Sequence, residues 1–280
     1  MNQKQEKPVF VTMGDASFFY IIYHSVCQVE KLYPGAIFYV YDWGFSSDQV
    51  MQLGKKKDVI IVPWQDQVDY NNGWKTLKTN FSQYVKSRIL HRKDIIVRLK
   101  HEYLLSRKPY CFLDCASRVE KNIIFLDGDA FLVNKIDELF FQQFDIGVTI
   151  RPENEIKTIE KDGACQILNS GVIFFFADSD KIQCFIKKWI LLMEKSTLAL
   201  REQTTLTQLI QKADKDIFTK KEGLLSCTDK NLRIKVLPCE MYNYNWIERG
   251  FNPEINKILH FKGGRHTPEQ FNLFCTKWKI

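Results

Sequence analysis

The stretch Ile123-Ile124-Phe125-Leu126-Asp127-Gly128-Asp129-Ala130-Phe131-Leu132-Val133 runs four apolar residues into a pair of aspartates and then turns apolar again at once. A short continuous apolar run reads as a strand buried on both faces, as in a parallel sheet. Such a strand does not hold two charges in its middle. Asp127 and Asp129 therefore belong at its C-terminal end, where open α/β sheets place their ligands. Residues two apart flank a single glycine here, and Gly128 permits a bend that turns both carboxylates toward one point. Two hard oxygen donors converging at a sheet edge suit Mg2+ or Mn2+ on a diphosphate.

Working outward, the region before this strand alternates strands and helices. Pro8 to Met13 reads as a first strand, broken by Gly14-Asp15. Phe18, Phe19, Ile22, Val26, Val29 and Leu32 recur at helical spacing up to the stop signal Tyr33-Pro34-Gly35. Ala36 to Tyr41 is a second strand, Ser46 and Gln49 form a capping box for a short helix to about Lys56, and Asp58 to Pro63 is a third strand. The order β-α-β-α-β outlines a nucleotide-binding half-sheet. No G-x-G-x-x-G follows the first strand and no G-x-x-x-x-G-K-[ST] occurs, which argues against a dinucleotide fold and a P-loop. Residues 64 to 80 read as an irregular loop carrying Trp64, Tyr70 and Trp74. Residues 82 to 105 are basic and helical in pattern, and Pro109 is expected to open a separate helix to about Val119.

Beyond the aspartates, Lys135 to Phe141 reads as a short helix and Phe144 to Ile150 as a strand. Residues 153 to 164 are polar and read as loop. The apolar run Cys165 to Phe176 is interrupted by Asn169-Ser170-Gly171, which predicts a bulge or a close backbone approach. Asp178 can cap a helix, Glu202 and Gln203 open another to about Ala213, and Leu232 to Leu237 forms a last strand.

Composition bounds the rest. The chain has 280 residues, 45% of them hydrophobic, enough for one large α/β domain or two small ones. Met1 to Lys7 are polar and charged, so no signal peptide is evident, and no apolar run approaches membrane-span length. The eight cysteines show no C-x-x-C spacing; they read as reduced thiols, several in the core, and not as a zinc site. The net charge of +7 is scattered along the chain, which disfavours a nucleic-acid binder.

Taken in order, the β-α-β-α-β start, the strand ending in D-x-D, N-S-G-V-I-F-F about 40 residues later, E-Q-T-T-L and a late H-F-x-G resemble a GT-A glycosyltransferase. The order is similar to family 8 and related nucleotide-diphospho-sugar transferases, from Val9 to about Pro268. The resemblance implies one α/β domain over 1–280 with a mostly parallel central sheet flanked by helices. Its nucleotide-binding half would be 1–130 and its acceptor-binding half 131–280. It implies a UDP-sugar donor, a glycan acceptor, and a hexose or pentose transferred with Mn2+ (or Mg2+).

Residue by residue, the resemblance puts the metal on Asp127, Asp129 and His260, and an imidazole suits Mn2+ better than Mg2+. Thr12 to Asp15 correspond to the base and ribose site, where Asp15 can accept from the uracil ring N–H or simply cap the following helix. Lys108 corresponds to a basic donor contact. Asn169, Ser170 and Gly171 match the strand that approaches the transferred sugar. Lys262, Gly263 and Arg265 lie where the family holds the diphosphate, although R-H-T-P at 265–268 replaces the family's K-P-W. Glu202 and Gln203 match the family's D-Q pair; Glu202 is a candidate base if the enzyme inverts, and Gln203 lies on the reacting face if it retains. Trp64, Trp74, Tyr242, Tyr244 and Trp246 are candidates for an acceptor groove.

Three rivals compete with this reading. A haloacid-dehalogenase-type phosphatase would want Thr or Val where Phe131 stands. A sugar-1-phosphate nucleotidyltransferase would want a Gly-rich basic loop after the first strand. An inactive glycan- or nucleotide-sugar-binding module of the same fold would tolerate the loss of Asp127, Asp129, His260 or Glu202, and all four are present. The polar start implies a cytoplasmic protein, bacterial or in a viral host.

Overall fold

The structure, a computed structural model, is described for residues 7–69, 72–77, 92–120, 122–153, 155–156, 167–198, 200–227, 230–245, 250–262 and 267–280. Its first half runs β1 (Val9–Gly14), α1 (Phe19–Leu32), β2 (Ile37–Asp42), α2 (Ser47–Gly54), β3 (Val59–Pro63), α3 (Arg92–Arg118), β4 (Ile123–Leu126), β5 (Ala130–Leu132), α4 (Asp137–Phe140) and β6 (Ile146–Ile150). The second half runs β7 (Leu168–Phe175), α5 (Ser179–Lys195), α6 (Arg201–Gln211), α7 (Ile217–Lys220), β8 (Glu222–Cys227) and β9 (Lys230–Pro238), then α8 (Cys239–Tyr242), β10 (Tyr244–Asn245), β11 (Ile258–His260) and α9 (Pro268–Trp278).

Eight strands form one sheet in the order β3-β2-β1-β4-β7-β6-β9-β8. β3, β2, β1 and β4 are parallel, β7 runs antiparallel between β4 and β6, β9 is parallel to β6, and β8 is an antiparallel edge. Alternate residues face opposite sides, as a pleated strand requires. Val11, Phe125 and Phe175 pack with Phe112, Phe185 and Trp189 beneath α3 and α5, whereas Phe10, Ile124 and Phe174 pack with Ile22 and Val26 of α1. The chain leaves β1 toward β2 and β3 on one side and returns to β4 on the other. The C-terminal ends of β1 and β4 therefore flank the point where strand order reverses, the place such sheets reserve for ligands.

A second sheet, β10-β11-β5, carries the chain onward from the aspartates. Phe131, Leu259, Phe261 and Phe271 pack it against Ile21 of α1 and Cys275 of α9. The capping box at Ser46 and Gln49 is present, with Ser46 accepting from the Gln49 amide.

Two expectations need correction, and a third finding adds a strand. Pro109 lies inside α3 and does not start a new helix. A mid-helix proline costs about 3 kcal/mol, but Leu99, Tyr103, Cys111, Phe112 and Cys115 are buried on both sides of it and their burial outweighs that cost. Second, Cys184 and Cys227 form a disulfide between α5 and the end of β8; 43 residues separate them in sequence, so no local spacing announces the pair. Cys27, Cys111, Cys115, Cys239 and Cys275 are free, as expected. Third, β8 was not anticipated: Glu222-Gly223-Leu224 lacks β-branched residues, and Leu224 stays 56% exposed on the sheet edge.

Candidate active site

The site is assembled where β4 ends. The Asp127 amide donates to the Gly171 carbonyl at 2.8 Å, extending the β4–β7 pairing past the last ladder residue. A turn closes with Ala130 N–H on the Asp127 carbonyl at 2.9 Å, and β5 departs toward the small sheet. Gly128 is required there by close approach, because a Cβ would come within 2.5 Å of the Met13 carbonyl oxygen. β5 pairs antiparallel with β11, which sets Ala130 opposite His260, and the Phe261 amide donates to the Asp129 carbonyl at 2.7 Å.

This register delivers His260 to the aspartates. Its Nε2 lies 2.9 Å from Asp129 Oδ1 and 3.8 Å from Asp127 Oδ2. One ligand atom from each of the three side chains falls within 4.8 Å of the others, so the trio can hold a metal ion. Two carboxylates and one imidazole are a donor set for a divalent ion. The bulge foreseen at Asn169-Ser170-Gly171 is present: Val148 pairs with Ile173 but Thr149 pairs with Asn169. The close approach is also present, because any Cβ at Gly171 would overlap the His260 ring.

Behind Asp127 lies a buried charge network. Lys108 of α3 places its Nζ 2.8 and 3.1 Å from the two Asp127 oxygens, 3.2 Å from Ser170 Oγ and 3.9 Å from Glu202 Oε2. Burial by itself would lower the Lys108 pKa; Asp127 and Glu202 outweigh it and hold the ammonium above its ordinary value. Glu202 accepts from Ser170 Oγ at 2.9 Å through Oε2, while its Oε1 is buried without a hydrogen-bond partner. Burial pushes the Glu202 carboxyl up to about 7, against the opposing pull of Lys108. A carboxyl poised there can exchange a proton near neutral pH.

Residues that sequence reasoning missed hold this pair in place. Glu102, nearly two turns before Lys108 on α3, accepts from the amides of Leu200 at 2.8 Å and Arg201 at 2.7 Å. It thereby satisfies the first N–H groups of α6 and supports the left-handed backbone at Leu200, φ 47°. Arg151 donates from Nη2 to Gln203 Oε1 at 2.6 Å and from Nη1 to Glu155 at 2.8 Å. Nothing local in the sequence marks Glu102 or Arg151; their partners lie 99 and 52 residues away.

A cavity of about 130 Å³ opens beside the aspartates. Asp15, Phe18, Trp43, His101, Leu104 and Lys108 contribute to its wall together with Asp127 and Asp129. Asp15 also accepts from the Ser17 amide at 2.9 Å in the turn ahead of α1, but it does not cap that helix, whose N-cap position is Phe18 with no side-chain bond. His101 and Trp43 were not foreseen. A larger depression of about 490 Å³ on the β8–β9 edge contains none of these groups.

Of the remaining candidates, Thr12 is buried in β1 with its hydroxyl unpartnered, and the cavity wall begins at Met13. Lys262 is mostly buried and its Nζ lies 3.8 Å from Glu155. Gly263, Arg265 and Trp246 lie outside the described residues. Tyr242 and Tyr244 are core residues, the first bonded to Glu138 at 3.0 Å, and offer no open ring face to an acceptor. Trp64 and Trp74 are partly buried against the main core.

No protein-family model and no curated protein matches the sequence. Solved structures do match. The galactosyltransferase LgtC, in complex with donor and acceptor sugar analogues, superposes with a TM-score of 0.52 at 14% identity, over 96% of this chain and 95% of that one. The glycosyltransferase GlyE of Streptococcus pneumoniae TIGR4 superposes with a TM-score of 0.55 at 14% identity, over 98% of this chain and 60% of that one. The bifunctional glycosyltransferase WbbM gives 0.52 at 12% identity, over 98% of this chain and 52% of that one. This chain thus spans little more than half of the two longer proteins. At such identities the likeness is one of fold, and the fold of this chain is that of the GT-A glycosyltransferases.

Proposed function

We propose that this chain is a glycosyltransferase that moves a hexose or pentose from a UDP-sugar to a hydroxyl of a glycan acceptor with the help of Mn2+ or Mg2+. The observation that carries the reading is the convergence of Asp127, Asp129 and His260 at the switch point of the sheet, beside a cavity walled by Asp15 and Trp43. A divalent ion held by the three side chains would neutralise the charge that grows on a nucleoside diphosphate as it leaves. In this reading residues 1–130 supply the nucleotide side and 131–280 the acceptor side.

The chain's own residues have distinct tasks. Asp15 and the Trp43 ring bind the nucleoside, and Lys108 fixes the Asp127 carboxylate, which would hold the ion together with Asp129 and His260. Asn169, Ser170 and Gly171 carry the backbone past the transferred sugar. Gln203, held by Arg151, presents its amide to the reacting face. Glu202 accepts the acceptor proton in an inverting reaction or binds sugar hydroxyls in a retaining one. Lys262, Gly263 and Arg265 complete the diphosphate site.

The test is a panel of nucleotide-sugars with and without Mn2+, read by thermal shift and then by product formation. A Tm rise that needs both a UDP-sugar and the ion, followed by transfer or slow hydrolysis, supports the enzyme. Binding without turnover points to a glycan- or nucleotide-sugar-binding module. No rise at ligand concentrations well above a millimolar-range Kd refutes the donor site.

A further inference from the structure

We propose that Asn243 and Thr149 are positioning residues that set the tautomer of His260 and thereby decide whether its Nε2 can ligate a cation. The proposal rests on the reading of Asp127, Asp129 and His260 as the metal site.

The geometry is a one-way chain of buried hydrogen bonds. Thr149 Oγ1 donates to the Asn169 backbone carbonyl at 3.0 Å. Asn243 Nδ2 donates to Thr149 Oγ1 at 2.7 Å. Asn243 Oδ1 faces His260 Nδ1 at 2.7 Å. Asn243 and Thr149 are fully buried, and Asn169 and His260 nearly so.

Direction is fixed from the backbone end. A carbonyl can only accept, so the single Thr149 hydroxyl proton goes to Asn169. The Thr149 oxygen is then left as an acceptor and selects the NH2 side of the Asn243 amide. The amide oxygen must therefore point at His260, and Nδ1 must carry the proton to pair with it. Nε2 is left facing Asp129 Oδ1 at 2.9 Å, a contact that shares a proton when no cation is held. A cation would displace that proton, with Nδ1 still protonated toward Asn243. The Cys239 thiol also lies against Thr149, but a sulfur is a weak acceptor and does not displace a backbone carbonyl.

The same chain ties the imidazole to the bulge. Asn169 and Thr149 are the pair at which the β6–β7 register shifts, and Gly171, two residues on, is where the ring needs space. Outer partners of this kind govern ligand basicity and orientation, and their loss commonly costs 10–100-fold in metal affinity.

Two readouts test it, both on the full chain. The first is the 15N spectrum of the His260 imidazole in metal-free protein, above the pH at which histidine protonates. The second is Mn2+ affinity. The parent protein should show the Nδ1–H tautomer. In Thr149→Val the amide loses its anchor and turns, since an orphaned buried donor is worse than an orphaned acceptor. Its NH2 then faces Nδ1, the Nε2–H form appears, and Mn2+ binding weakens by about 10–100-fold. Asn243→Leu should weaken it similarly. Asn243→Asp keeps an acceptor for Nδ1 but loses the NH2 that Thr149 accepts from, so Thr149 must turn its proton to the new carboxylate. The Nδ1 proton should stay, and Mn2+ affinity should remain within a few-fold of the parent. A thermal melt of each variant serves as the folding control.

A parent protein in the Nε2–H form overturns the proposal. So does an Asn243→Leu variant that keeps the Nδ1–H form and parental Mn2+ affinity. If the parent binds no Mn2+ but the tautomer responds as described, the relay stands and the metal reading falls.

Discussion

Lys108 holds Asp127 by both carboxylate oxygens, at 2.8 and 3.1 Å, from a buried position on α3. One side of Asp127 is therefore committed to a lysine while Oδ2 also faces His260 at 3.8 Å. Replacing Lys108 by Met leaves the partly exposed Asp127 and the buried Glu202 as neighbouring carboxylates without their shared cation. Breaking a buried pair in this way typically costs about 3–5 kcal/mol. Chemical denaturation should register that loss, and the Glu202 carboxyl should titrate higher still because its main counter-charge is gone. A Lys108→Met protein of parental stability would remove the network from the account.

Glu202 gives the site a pH signature. Its pKa is raised from 4.5 to about 7 by burial, so the folded chain keeps that proton to higher pH than the unfolded one. The sign follows: any contribution of the protonated group is present below pH 4.5 and is lost as pH rises through 7. Glu202→Gln should flatten this slope and be the more stable protein above pH 7. If Glu202 accepts the acceptor proton, turnover in the parent climbs through about pH 7, and Glu202→Gln lowers kcat by about 10²–10⁴. A Glu202→Gln enzyme with full kcat and a weakened donor KM would place the residue in sugar binding.

Asp129→Asn should keep the fold, since Asp129 contributes its backbone carbonyl to the β5–β11 junction and that atom is unchanged. The Mn2+-dependent part of any UDP-sugar Tm shift should vanish, with activity down by at least about 100-fold. Retained Mn2+ dependence would move the ion elsewhere.

Arg151 offers a sharper probe of Gln203. Lysine in its place keeps the charge but cannot hold Gln203 and Glu155 at once from one planar fork. Arg151→Lys should lower kcat about tenfold with little change in donor KM, because misorientation acts on the reacting geometry and not on ground-state binding. Equal losses in both parameters would instead make Arg151 a binding residue.

The disulfide between Cys184 and Cys227 should contribute about 2–4 kcal/mol. Reduction, or the Cys184→Ser/Cys227→Ser double variant, should lower Tm by several degrees. Activity at 25 °C should persist, since neither cysteine lines the cavity. An unchanged Tm on reduction would show that the bond carries no stability.

Much of this architecture is legible in the sequence because it is local. The β-α-β-α-β start, the Ser46 capping box and the D-x-D turn each announce themselves within a few residues. Asn169-Ser170-Gly171 stood out because polar residues interrupt an apolar run, and the bulge there is the result. His260 was placed by its motif context, since one histidine carries no spacing of its own. What stayed hidden depends on distance or on burial. Arg151, Glu102 and Asn243 act on residues 52, 99 and 17 positions away. Pro109 misled because a local rule lost to burial along the whole of α3. The cysteines misled because their pairing is a property of how α5 lies against β8. Tyr242 and Tyr244 look like sugar platforms in one dimension and are core in three.

The small sheet has a further consequence for the order of events during synthesis. Leu132 pairs with Ile258, so the acidic turn is made long before the strand that brings the histidine. Until β11 returns to β5, a growing chain displays two carboxylates and a lysine, with no imidazole to complete a tight ion site. A site made of all three side chains would therefore wait for the long-range pairing of β11 with β5. Such a long-range closure is slow relative to the helices around it. A divalent ion that binds only the closed form pulls the equilibrium toward it, so the same ion that would serve the reaction would also stabilise the pairing of β11 with β5.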